Sequence, residues 1–106
     1  MNKASKVYIG TELKLNVNIE PIDSLSMSQY DWRAEVYCTP SKVVAIDKGN
    51  AIKIDNNNYV IRIDTAQIGV GVMKCKIIAF LTDNDFYDGT RTEVSIIDTG
   101  ITIVKN

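Results

Sequence analysis

At 106 residues, with 12 Lys and Arg against 13 Asp and Glu and no His, the chain has the size of one domain and can bury a core without a metal or disulfide scaffold. Its charges are scattered, which excludes the basic footprint of a nucleic-acid or anionic-lipid binder. The longest apolar run, residues 77–81, falls far short of the ~20 residues that cross a bilayer, and Val7, Tyr8 and Ile9 after Lys3 and Lys6 are too brief for a secretory apolar core. The expectation is a single domain over residues 1–106, without nucleic-acid or membrane partners, that stays where it is made or leaves inside a larger assembly.

Leu13, Leu15, Val17 and Ile19 alternate with polar residues, the period of a strand with one buried face, and Pro21 ends it. A polar stretch, residues 22–30, leads to a second half-buried strand on which Trp32, Ala34, Val36 and Cys38 share a face. Thr39, Pro40 and Ser41 make a turn. A short β-branched run over 42–46 closes on Asp47-Lys48-Gly49-Asn50, a strong turn signal. Residues 51–54 and 59–64, separated by Asp55 and three asparagines, read as a hairpin.

After a break at 65–71 comes the longest strand, 72–81, with Met73, Cys75, Ile77, Ala79 and Leu81 on one face. Two last strands are expected, 91–97 and 101–104, separated by Asp98-Thr99-Gly100. Seven to nine short strands without helical periodicity predict an all-β, antiparallel immunoglobulin-like sandwich. The antibody form needs a bridging Cys before the Trp; here Trp32 precedes Cys38 on one strand, so only the general architecture survives. Cys38 and Cys75 read as buried thiols inside strands, and two cysteines without His cannot complete a zinc site.

The acidic stretch 82–94, TDNDFYDGTRTEV, poses a choice between a calcium loop and a turn. Counted from Asp83, Tyr87 takes the fifth place of an EF-hand loop, Gly89 the seventh and Val94 the twelfth, so the register fails, and the flanks are β-rich. The expected structure is the connection of a long hairpin with Gly89 at positive φ, and no metal is assigned; an irregular calcium site on Asp83, Asp85 and Asp88 is the competing reading. Gly69-Val70-Gly71 lacks the third glycine and following helix of a dinucleotide fingerprint and the Lys-Ser/Thr of a phosphate loop. With no His and no paired carboxylates in a strained turn, no catalytic residue and no cofactor are assigned.

Binding has three candidate carriers. Phe86 and Tyr87 lie mid-loop, as a contact site or as a staple that folds the loop back. Ile78, Phe80 and Ile97 are placed on the strand face opposite the core set, covered by residues 7–9, by a sheet switch or by a partner chain. Edge strands can also pair with a neighbour.

The alternation Asp31, Arg33, Glu35, Tyr37 around Trp32, then NNNYVIRIDTAQIGVG (56–71), DNDFYDGTRTEV (83–94) and TGITI (99–103), resembles small immunoglobulin-like virion proteins of tailed phages, above all those of gut Bacteroides, including crAss-like phages. The chain is also similar to the amino-terminal module of phage baseplate upper proteins. The resemblance implies a virion structural role: an auxiliary or decoration protein whose partners are the major capsid protein or other virion proteins, located in the virion, with a homo-oligomer on the particle open. It implies conformational roles for Asp64, Thr65, Gly69, Gly71, Asp88, Gly89, Arg91 and Glu93, the last two charged residues as cross-strand partners. A baseplate or tail adaptor and a carbohydrate-binding or adhesion module are the competing readings.

Overall fold

A computed structural model of the chain describes residues 5–106. The fold is all-β, with strands β1 (Ser5–Tyr8), β2 (Glu12–Asn18), β3 (Asp31–Tyr37), β4 (Val43–Asp47), β5 (Ile52–Asp55), β6 (Asn58–Asp64), β7 (Gly71–Thr82) and β8 (Thr90–Val104). Single 3-10 turns follow β4 at Lys48–Asn50 and β6 at Thr65–Gln67. The strands form a five-stranded sheet, in the order β1-β8-β7-β3-β4, and a three-stranded antiparallel sheet, β2-β6-β5.

Alternation in the sequence becomes alternation of faces, because residues paired across strands point to the same side. Val17, Leu15 and Leu13 pair with Tyr59, Ile61 and Ile63, and Trp32, Ala34 and Val36 pair with Ala79, Ile77 and Cys75. These two rows meet in one core, joined by Met27, Tyr30, Ile68, Met73, Leu81 and Ile103.

Three features depart from the sequence expectation. First, the five-stranded sheet is mixed: β1 runs parallel to β8, with Ser5 opposite Ile101 and Tyr8 opposite Val104. Residues 7–9 therefore extend a sheet edge, and Val7, paired with Ile103, turns inward against the core. Second, the expected two last strands are one. Asp98-Thr99-Gly100 is a bulge inside β8, where the register shifts between Val72 and Lys74 of β7. The Thr99 hydroxyl donates to the Met73 carbonyl at 2.7 Å and Asp98 Oδ1 accepts from the Gly100 amide at 3.0 Å, so the surplus residues keep their polar groups paired and the strand continues. Third, Cys38 lies just beyond β3 and is only half-buried, while Cys75 is fully buried; both thiols are free. The Cys38 thiol donates to the Gly71 carbonyl at 3.4 Å. Gly71 holds φ +130°, and a Cβ there would stand 3.2 Å from Cys38 Cβ, so both conformation and space favour glycine.

The polar stretch before β3 is folded tightly. Asp23 and Ser24 adopt φ 52° and 65° inside a two-residue turn closed by reciprocal backbone bonds between Ile22 and Leu25 at 2.9 and 2.8 Å. Both central residues at positive φ mark the turn that matches strand twist. Beyond it, Asn57 Oδ1 accepts from the Met27 amide at 2.9 Å, and Lys48 Nζ donates to the carbonyls of Ser28 and Tyr30 at 3.0 and 2.8 Å. Met27 and Tyr30, so fixed, close one end of the core. At the start of β2, the fully buried Thr65 donates its hydroxyl to the Thr11 carbonyl at 2.8 Å and accepts from the Gly10 amide at 2.9 Å.

Candidate binding surface

The connection between β7 and β8, residues 83–89, is built by its own hydrogen bonds. The Asp83 amide donates to the Gly89 carbonyl at 2.9 Å, the Gly89 amide to Phe86 at 2.9 Å and the Phe86 amide to Asp83 at 3.3 Å. Asp83 and Asp88 each accept, at 3.0 Å, from the amide two residues on, those of Asp85 and Thr90, which is how Asp sets a turn. Gly89 holds φ +76° as expected. Asp83 Oδ2 takes the Arg91 guanidinium at 3.1 Å, so one oxygen of this carboxylate serves the loop and the other its anchor. Among the described residues no group of three metal-ligating side chains converges.

Two aromatic rings leave this frame. Phe86 is 47 % exposed and Tyr87 is completely exposed; neither belongs to the core. They stand at the tip of a loop that is internally braced, and Asp85 and Asp88 beside them make no ion pair within 4.0 Å among the described residues.

Arg91 binds three carboxylates: Asp83, Glu93 at 3.2 Å, and Asp23 from the turn before β3. Hydrogen bonding to Asp23, with the charges of Asp23, Glu93 and Asp83 around it, pushes the guanidinium pKa up. Arg91 and Glu93 are indeed paired, but along one strand, two residues apart on the same face, not across strands. The tie to Asp23 has no sequence signal, since the two residues lie 68 positions apart. It locks the 22–25 turn to the base of the aromatic loop.

The outer face of the five-stranded sheet does not hold the set expected from the sequence. Ile78 and Phe80 lie on it, half-buried. Ile97 does not: it pairs with Cys75 and packs inward against the core. The antiparallel register of 90–98 against β7 decides this, and it puts Ile96 and Val94 outside instead, opposite Lys76 and Ile78. Val94 is 52 % and Ile96 61 % exposed. The outer apolar strip is therefore Ile78, Phe80, Val94 and Ile96, rimmed by Glu35 with Arg33 at 3.5 Å and Lys76 at 4.0 Å. On the other sheet, a depression of about 440 Å³ is lined by Glu12, Lys14, Arg62, Asp64 and Gln67 over Leu13 and Ile63.

Comparison of the chain with protein-family models, with curated proteins and with solved structures gave no match.

Proposed function

We propose that this chain is an immunoglobulin-like structural protein of a phage virion, an auxiliary protein that attaches to the capsid shell through the aromatic loop 83–89. The observation that carries the attachment is Tyr87, fully exposed at the tip of a loop whose backbone is held by three internal hydrogen bonds. A preorganised aromatic anchor loses little freedom on docking and suits a protein interface.

Several observations support the immunoglobulin-like part. The spatial orders β2-β6-β5 and β8-β7-β3-β4 are compatible with the B-E-D and G-F-C-C′ orders of such a fold. Trp32 is buried on the C-like strand and Cys75 on the F-like strand. The B-like strand Glu12–Asn18 carries no cysteine, which accounts for the missing inter-sheet bridge. The virion part rests on the likeness of the strand ends and turns around 64–71 and 83–94 to phage proteins of this kind. The roles implied there agree with Asp64 accepting from the Ala66 amide, with Thr65 joined to Gly10 and Thr11, and with the Asp88 turn.

The test is the double variant Phe86→Ser, Tyr87→Ser, compared with wild type by unfolding and by the molar ratio of this chain to the major capsid protein in gradient-purified particles. The expected result is an unchanged unfolding midpoint with occupancy lost. Normal occupancy of the variant discards the loop as the attachment point, and absence of the wild-type chain from particles discards the virion reading; a few copies per particle moves it to the baseplate or tail. A second reading, a carbohydrate-binding module, is favoured by the bare Tyr87 ring flanked by the polar side chains of Asn84, Asp85 and Asp88. A saturable calorimetric signal with glycans would select it.

A further inference from the structure

The five-stranded sheet ends on an edge that is only partly covered. β8 runs from Thr90 to Val104, but β1 pairs with it only from Ile101 to Val104. Among the described residues, 90–100 therefore have no strand on the outer side, and within them 90–98 are in continuous register with β7 on the other. The other free edges are shorter or guarded: β4 has five residues, β5 four with a bulge, and β2 seven with Lys14 in the middle of its exposed row. Residues 90–98 read Thr-Arg-Thr-Glu-Val-Ser-Ile-Ile-Asp, without the Pro or Lys by which natural sheets blunt such edges.

We propose that this edge pairs with the same edge of a second copy of the chain, antiparallel, about a twofold axis through Val94. Three observations select that occupant. The open stretch in regular register with β7 is centred on Val94, so the symmetric register uses all of 90–98 and leaves the bulge residues Thr99 and Gly100 between it and β1 in both copies. In that register Val94 meets Val94, Thr92 meets the partner's Ile96, Arg91 the partner's Ile97 and Glu93 the partner's Ser95. No like charges oppose each other, and all residues keep their face. The two inward charges that would otherwise protect the edge are already satisfied within one copy, since Glu93 is paired with Arg91, which Asp23 and Asp83 also hold. Outside, the strip of Ile78, Val94 and Ile96 becomes continuous across the axis, so one isologous contact joins both sheets into a single ten-stranded layer. The inference is independent of whether the chain belongs to a virion.

The experiment is sedimentation equilibrium of the wild-type chain and of Val94→Lys up to the high micromolar range, together with cysteine cross-linking in a Cys38→Ser background. Val94 is exposed on the outer face, so Trp32 fluorescence and the unfolding midpoint serve as controls that both proteins are folded. The expected results are a wild-type dimer, a monomeric Val94→Lys, and rapid covalent dimer formation by Val94→Cys under mild oxidation. Thr92→Cys and Ile96→Cys should cross-link only when mixed with each other. A wild-type chain that stays monomeric overturns the proposal, as does a dimer that survives Val94→Lys. Self-cross-linking of Ile96→Cys at the rate of Val94→Cys overturns the register, and capture of an added extended peptide by a monomeric chain would assign the edge to a foreign strand.

Discussion

The indole of Trp32 meets the ring of Tyr59 edge-on, centroids 5.1 Å apart and planes at 81°, so that one aromatic pair links the two sheets. Trp32 is 1 % exposed and its Nε1 has no protein hydrogen-bond partner. Truncation to Ala should cost about 3–5 kcal/mol, as for other large buried aromatics. Trp32→Phe should cost clearly less than Ala, because it keeps an aromatic ring against Tyr59 and removes a buried N–H that is unpaired within the protein. Urea unfolding followed by far-ultraviolet dichroism compares the two, and equal losses would show that the edge-on contact contributes little.

Thr65 is the one fully buried polar residue among those described. Its hydroxyl stands between Gly10 and Thr11, at the point where the chain leaves the five-stranded sheet for the three-stranded one. Thr65→Val preserves shape and removes the hydroxyl, which leaves the Gly10 amide without its acceptor. The expected loss is about 1–3 kcal/mol, with faster amide exchange at Gly10 as the local signature. Thr65→Ser should retain most of the stability.

Ser24 offers a gain rather than a loss. Its φ of 65° lies in a region that favours glycine, and it occupies the second central position of the Ile22–Leu25 turn, where Gly is the preferred residue. Ser24→Gly should stabilise the fold by about 0.5–1 kcal/mol, relief of strain exceeding the added freedom of the unfolded chain. A lower unfolding midpoint would mean that the Ser24 backbone is not strained as its φ indicates.

Alkaline pH should destabilise the protein in a defined window. Burial pushes the Cys75 thiol up to about 11 from its ordinary 9.0. The unfolded chain then releases this proton near pH 9, while the native protein holds it until about pH 11. Stability is therefore complete below pH 9 and falls as pH rises through the window, by about 2–3 kcal/mol for this group. Burial also raises Tyr30, with Glu93 and Tyr59 adding to it, and raises Tyr59 and Cys38. Cys75→Ala should accordingly flatten, without abolishing, the slope of the urea midpoint against pH from about pH 9 upward. An unchanged slope would remove Cys75 as its main source.

The inward rows of β2, β3, β6 and β7 were readable because each strand alternates cleanly and its neighbours on one face are all apolar. The failures cluster where a tertiary hydrogen bond overrides local pattern. Asp98-Thr99-Gly100 looks like a strand break, yet the Thr99 hydroxyl repairs the ladder through Met73. The register of β8 against β7 is not encoded in local spacing: it sets Ile97 inward opposite Cys75, and the true outer residues, Val94 and Ile96, carry the same apolar signal one position away. Phe86 and Tyr87 were visible as aromatic residues in a turn, and Tyr87, completely exposed, staples nothing. The Arg91–Asp23 tie and the parallel docking of β1 were invisible, since each joins positions separated by most of the chain and neither is encoded in local spacing.

That docking bears on how the molecule assembles in time. Ser5 is paired with Ile101, so the first described strand can take its place only after β8 has formed. A contact spanning so much sequence carries a large loop-closure cost before it returns any stability, which slows folding relative to a domain of local hairpins. During synthesis β1 waits unpaired while β2 to β7 emerge, and the sheet edge closes only once residues 101–104 are available.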